Sequence, residues 1–136
     1  MTDKTIVAVY GSLRQGLGNH RLLDNEGVEF LGRGETVSKA SMVSMGSFPA
    51  ITQPSSEGGD YPIVVEVYAV DEPTFKNLDR LEGYPNFYNR EEVQVVMSEK
   101  RIVNANIYFI SEVTDGRHTL EHGDWMLHLR EEGRYV

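Results

Sequence analysis

The sequence contains no cysteine. Disulfides, thiolate metal sites and cysteine nucleophiles are therefore excluded together, and the absence fits a reducing compartment. Positive charge is scarce: 13 Lys and Arg stand against 21 Asp and Glu, a formal net charge of −8. An acidic chain of this kind offers no electrostatic footprint to a phosphate backbone or an anionic membrane, so neither nucleic acid nor membrane is expected as a partner. No apolar run approaches membrane-spanning length. The opening Met1-Thr2-Asp3-Lys4 lacks a basic segment, a long apolar stretch and a small-residue cleavage site, so no signal peptide is expected and a cytoplasmic location is. Repeats, heptads and low-complexity tracts are missing as well.

What remains is 136 residues of ordinary globular composition, enough for one domain spanning residues 1–136 and too few for a second core. Residues 6–10 read as a buried first strand, apolar and rich in β-branched side chains. Gly11 ends it, a glycine-rich loop runs to Gly18, and Asn19 stands where it could cap a short helix through Leu23. Residues 28–37 read as a strand interrupted by Gly32 and Gly34, the mark of a bulge or bend. Residues 42–51 look irregular, and residues 53–61 form a polar loop built on Pro54, Gly58 and Gly59, passive or a mobile cover.

Residues 63–70 are the clearest strand. Asp71 then sits where an N-cap belongs, with Glu72 and Pro73 in the first turn of a helix reaching about Leu81. Gly83 suits its C-terminal cap, and Pro85 prevents continuation. Residues 93–97 and 102–110 read as two strands joined by a charged turn, and residues 124–132 as a terminal helix. Strands outnumber helices and cluster late, so βαβ repetition is not supported. The expected fold class is α+β, a mixed curled sheet or small β-barrel with a few helices.

One carboxylate breaks the pattern. At about 100° per residue, Phe75, Leu78 and Glu82 project from nearly the same side of the central helix. Glu82 then points inward from the last turn, where burial and the helix dipole both disfavour its charge and raise its pKa. The alternative is a frayed last turn that releases Glu82 to water. The glycine turn after the first strand is open to two readings as well. It is a plain tight turn, or a set of free backbone N–H groups that hold a carboxylate, a phosphate or a developing oxyanion. It is neither G-x-G-x-x-G nor a P-loop, and Ser12 lacks the elbow and histidine of a serine nucleophile. His118 and His122 have the spacing of two ligands on a helix, but Gly116 and Gly123 bracket a loop, which argues against a metal site. Nothing supports a glycosidase pair of Glu82 with Glu91 or Glu92.

Two segments taken together are recognisable. Val9-Tyr10-Gly11-Ser12-Leu13-Arg14-Gln15-Gly16 ends the first strand, and Leu78-Asp79-Arg80-Leu81-Glu82-Gly83-Tyr84-Pro85, followed by Tyr88 and Arg90, ends the central helix. This pairing resembles the γ-glutamylcyclotransferase-like family, which includes the γ-glutamylamine cyclotransferases and the AIG2-like proteins. Gly46-Ser47-Phe48-Pro49-Ala50 and Gly123-Asp124-Trp125 extend the resemblance over most of the chain.

The resemblance implies a small β-barrel flanked by helices, with the active cavity at one mouth. It implies cyclisation of a γ-glutamyl amine or γ-glutamyl amino acid to 5-oxoproline, with the leaving amine released and neither metal nor organic cofactor required. Glu82 matches the family's catalytic acid/base. Tyr10, Gly11, Ser12 and Leu13 match its substrate-binding loop, and Tyr88 matches a family tyrosine. Tyr108 is a further candidate for substrate binding, Arg90 for balancing charge in the cavity, and Phe48-Pro49 for a wall. The competing functions are a non-catalytic module that binds γ-glutamyl compounds on the same scaffold, and another small-molecule enzyme built on Glu82, glutathione degradation among the variants.

Overall fold

A computed structural model describes residues 4–54, 59–110 and 119–133. Within them, β1 spans Thr5–Val9, β2 Val28–Ala40, β3 Met42–Ser44, β4 Pro49–Ile51, β5 Tyr61–Val70, β6 Asn89–Met97 and β7 Ile102–Phe109. Two α-helices, α1 (Glu72–Glu82) and α2 (Trp125–Glu131), join them. A 3-10 turn covers Gly18–Leu23 and another Ser98–Lys100. Five strands close into a barrel in the order β1–β5–β2–β6–β7. All the pairings are antiparallel except the seam, where β1 and β7 run parallel through Val7↔Asn106 and Ala8↔Ile107. This is the mixed α+β barrel that the strand pattern implied.

Alternation decides which way each strand faces. On β6, Val93, Val95 and Met97 are buried and Gln94 and Val96 are exposed, the period of two that one wet face demands. β1 and β5 are buried on both faces and so read as continuous apolar runs. Ala8, Val65 and Val67 enter the barrel interior with Ile107, while Val7, Val9, Tyr68 and Val70 pack outward against Leu78 of α1. Trp125, Met126 and Leu129 of α2 join the interior cluster and close one end of the barrel.

Gly32 sits at φ +134°, where the β2–β5 register shifts between Phe30 and Gly32, so the expected bulge is present. Two local expectations need correction. Residues 42–51, read as irregular, form the β3–β4 hairpin, in which Met42 pairs with Ile51 and Ser44 with Pro49. Two three-residue strands are too short for alternation to show. Asn19 caps nothing: the cap position before the 3-10 turn is Leu17, and it has no side-chain hydrogen bond. The polar loop lies partly outside the described residues, 55–58 among them. Among the described residues no helix is long and apolar enough to cross a membrane.

The Gly-Asp-Trp segment has a packing cause for each member. Gly123 crosses β5 so closely that a Cβ would overlap the Pro62 carbonyl oxygen, and its own carbonyl accepts from Val64 N at 2.8 Å. Asp124 caps α2 by accepting from Met126 N and Leu127 N, and Trp125 is buried in the core. Gly123→Ala should therefore push α2 off the barrel end and cost about 2 kcal/mol, typical of overpacking against backbone, read as a lower urea midpoint at unchanged slope.

Candidate active site

A cavity of about 340 Å3 opens where the end of β1, the end of α1 and the β3–β4 hairpin converge. Tyr10, Gly11, Ser12 and Leu13 form one wall, and Glu82 and Tyr88 another, with Tyr108 of β7 between them. Ser47, Phe48 and Pro49 supply the hairpin side. All seven candidate residues from the two motifs and β7 thus line one space.

The glycine turn is folded by its own backbone. Arg14 N donates to Gly11 O at 2.9 Å, Leu17 N to Arg14 O at 3.1 Å and Asn19 N to Ser12 O at 3.0 Å. The N–H groups of Ser12 and Leu13 have no acceptor among the described residues, which leaves two backbone donors on residues of the cavity wall. Gly11 is required by contact: a Cβ there would lie 2.8 Å from Pro49 Cγ. Asn19 Nδ2 donates to Ser12 Oγ at 2.8 Å, so the Ser12 hydroxyl is engaged by an amide and not by a histidine.

Below the turn lies a buried ion pair network that the sequence pattern does not reveal. Arg14 is only 3% exposed. Its Nε donates to Glu66 Oε2 at 3.0 Å and its Nη1 to Asp124 Oδ1 at 2.9 Å. Glu66 Oε1 also accepts from Gln15 N and from the Tyr68 hydroxyl, each at 2.9 Å. Burial alone would raise the Asp124 pKa, but the hydrogen bond and charge of Arg14 hold it below the usual carboxylate value. Turn, β5 and the cap of α2 are thereby tied into one network.

Glu82 is the last residue of α1, and the helix does not fray there. Gly83 adopts the left-handed conformation (φ 67°, ψ 32°), its N–H bonds Arg80 O, and Tyr84 N bonds Asp79 O at 2.9 Å. The Glu82 carboxyl has no hydrogen-bond or ion-pair partner among the described residues, and burial pushes its pKa up from 4.5 to about 7. No second carboxylate lines the cavity among the described residues.

The three tyrosines spend their protons on the scaffold. The Tyr10 hydroxyl donates to Tyr108 O at 2.8 Å, that of Tyr88 to Pro49 O at 2.9 Å and that of Tyr108 to Asp79 Oδ1 at 2.6 Å. Burial raises all three pKa values, and the charge of Glu82 raises them further. Arg90 does not line the cavity. Its Nε and Nη2 hold Asp79 at 2.9 and 3.2 Å, and its guanidinium stacks over Tyr84 and Phe75. The expected charge balance in the cavity is therefore not its position.

His122 Nε2 lies 2.9 Å from Glu131 Oε1, its Nδ1 accepts from Asp124 N at 3.1 Å, and His118 falls outside the described residues. No group of three potential metal ligands occurs among the described residues. Leu81, Phe87 and Asn19 also line the cavity, and none of them is a site residue expected from the sequence. Phe87 had one sequence signal, a large aromatic in a Pro- and Asn-rich turn where no core position was expected.

A small barrel with a half-buried carboxyl facing a donor-bearing glycine turn defines the class, and comparison with known proteins defines the family. Residues 7–127 match the family model described as gamma-glutamyl cyclotransferase, AIG2-like. The chain belongs to that family. The Methanocaldococcus jannaschii protein MJ1514, provisionally named a gamma-glutamylcyclotransferase, is 38% identical over 107 residues, 78% of this chain and 84% of that one. Human gamma-glutamylaminecyclotransferase is 33% identical over 103 residues, 74% of this chain and 67% of that one. The crystal structure of a mouse AIG2-like protein superposes with a TM-score of 0.75 at 26% identity, covering 88% of this chain and 87% of that one.

The half-buried Glu82 carboxyl has a stability signature. Glu82 holds its proton to higher pH in the folded chain than in the unfolded one, so between about 4.5 and about 7 the unfolded state binds fewer protons. Folding stability from this group is fully present below 4.5 and is lost as pH rises through 7. Glu82→Gln removes that loss. Relative to the parent, the variant should gain stability progressively over this window, by up to about 3 kcal/mol at pH 8, measured by urea unfolding at pH 4.5 and pH 8.

Proposed function

We propose that the protein cyclises γ-glutamyl amides to 5-oxoproline, with Glu82 as general base and then general acid. The observation that carries this reading is the placement of a half-buried Glu82 carboxyl, without a partner among the described residues, across one cavity from the Ser12 and Leu13 N–H groups. The substrate's α-ammonium is inert as a nucleophile until it loses a proton. Glu82, poised near neutrality, accepts that proton. The freed α-amine nitrogen attacks the side-chain amide carbon and forms the lactam N–C bond. The C–N bond to the leaving amine then breaks as Glu82 returns its proton to the departing nitrogen. The ring nitrogen sheds its second surplus proton as the lactam forms, and that proton ends on the released amine, so the products are 5-oxoproline and the protonated amine, and the carboxyl ends in the form in which it began.

The turn supplies the other half. The Ser12 and Leu13 N–H groups hold the substrate α-carboxylate or the carbonyl oxygen as it gains charge. Cyclisation is intramolecular, so a cavity that keeps the glutamyl chain folded back on itself supplies much of the acceleration. Tyr10, Tyr88 and Tyr108 act as shaped, neutral walls of the substrate site, because their hydroxyls are already bonded to Tyr108 O, Pro49 O and Asp79.

The test is 5-oxoproline formation from γ-glutamyl amides. Glu82→Gln should lower kcat by about 10³-fold, in the range of a lost general acid–base group, while the circular dichroism spectrum is retained. The pH profile of kcat/KM should fall on the acid side with an apparent pKa near 7, since the free enzyme's base must be ionised. Full activity in the variant, or a rate independent of pH between 5 and 8, would remove Glu82 from the mechanism.

A further inference from the structure

Two donors of Asn19 converge on one residue of the glycine turn. Its N–H bonds Ser12 O at 3.0 Å, and its Nδ2 bonds Ser12 Oγ at 2.8 Å. Beside it, His20 Nδ1 lies 3.0 Å from Leu13 O. The 3-10 turn that carries both residues is anchored by Leu23, buried in one cluster with Leu78 of α1 and Val70 of β5. Asn19 is thus a fixed part of the wall it shares with Ser12, and its side chain is spent on the turn instead of on a cap.

Both bonds have a directional consequence. The Ser12–Leu13 peptide is trans, so its C=O and N–H point opposite ways. With Ser12 O drawn to the Asn19 N–H, the Leu13 N–H is turned away from the 3-10 turn and keeps no acceptor among the described residues. The side-chain bond acts on the hydroxyl. A serine hydroxyl has one proton and two lone pairs. The Asn19 amide occupies a lone pair, and no described residue accepts the Ser12 proton. The O–H is therefore left as a donor on the wall that carries the Ser12 and Leu13 N–H groups.

A charged ligand group needs such a donor here. No Lys, Arg or His lines the cavity among the described residues. The nearby guanidiniums are matched already, Arg14 by Glu66 and Asp124 and Arg90 by Asp79. A carboxylate entering the cavity must replace its water with neutral donors, and hydrogen bonds to a charged acceptor are the strong ones.

We propose that Asn19 is a positioning residue, whose side-chain amide holds the Ser12 hydroxyl as a third donor to the substrate's α-carboxylate. This rests on the cyclotransferase reading above and deepens it, by giving the hydroxyl to the α-carboxylate and not to the reacting carbonyl. The α-carboxylate keeps its charge from the bound substrate to the transition state. Its donors therefore act on KM and leave kcat nearly unchanged.

The test compares γ-glutamyl-methylamide with γ-aminobutyryl-methylamide, the same molecule with hydrogen in place of the α-carboxylate, whose cyclisation gives pyrrolidinone and methylamine. Asn19→Ala should raise KM for the glutamyl compound about tenfold, the scale of one hydrogen bond to a charged group, with kcat held within about twofold. The KM of the aminobutyryl compound, or its Ki if it only inhibits, should not move. Asn19→Asp keeps the shape but can only accept, so it draws the Ser12 proton to itself and sets a negative charge beside the carboxylate. It should raise the glutamyl KM about a hundredfold, as like charges in contact do. Ser12→Ala should match Asn19→Ala, and the double variant should lose little more than either. Loss of kcat at constant KM, equal losses on both compounds, or an Asn19→Asp variant as good as the parent overturns the inference and leaves the cyclotransferase reading standing. No 5-oxoproline from the folded parent overturns both.

Discussion

A guanidinium taken out of water needs carboxylates around it, and the place of Arg14 in this fold follows from that constraint. Burying an unpaired charge costs several kcal/mol, so Arg14 can occupy its position only if β5 delivers Glu66 and the entry to α2 delivers Asp124. The three groups come from the start, middle and end of the chain. Once they meet, the loop after β1 has one conformation, because Glu66 also holds Gln15 N. The Ser12 and Leu13 donors owe their fixed position to this network rather than to glycine alone. The Gly-Asp-Trp segment, far away in sequence, is part of the same device.

Much of this was legible beforehand, for physical reasons. β5 and α1 were visible because a long apolar run and a cap–Pro–period–Gly pattern are strong local signals, and Asp71 and Gly83 perform the capping their residue types favour. The cavity's two principal walls were found through motifs that resemble a known family. Periodicity by itself left Glu82 between the interior and water, and its half-buried place on the cavity wall was decided by tertiary packing. The β3–β4 hairpin was missed because three residues carry no readable alternation. The role of Arg14 was not legible, since sequence does not show that an arginine is buried. The motif suggests Arg90 for the cavity, but its partners are Asp79, Phe75 and Tyr84 and it is absent from the cavity lining.

Local order and electrostatic comfort are divided unequally across the site. The tyrosine hydroxyls, Asp79 and Arg90 are all satisfied, so the walls are rigid and chemically quiet. Glu82, by contrast, is an ionisable side chain with no partner among the described residues, held in surroundings that oppose its charge. This is the familiar division between a scaffold at its energy minimum and one group kept away from it, and a bound ammonium would supply the partner the fold withholds.

The parallel seam between β1 and β7 bears on how the molecule comes into being. Val7 and Ala8 meet Asn106 and Ile107 across about a hundred residues, and the Tyr10 hydroxyl reaches Tyr108 O over a separation of 98. Contacts so distant in the chain are among the slowest to form. The cavity straddles this seam, with the glycine turn on one side and Tyr108 on the other. A nascent or partly folded chain therefore has neither half of a working pocket, and the capacity to recognise a ligand arrives with the last closure of the barrel.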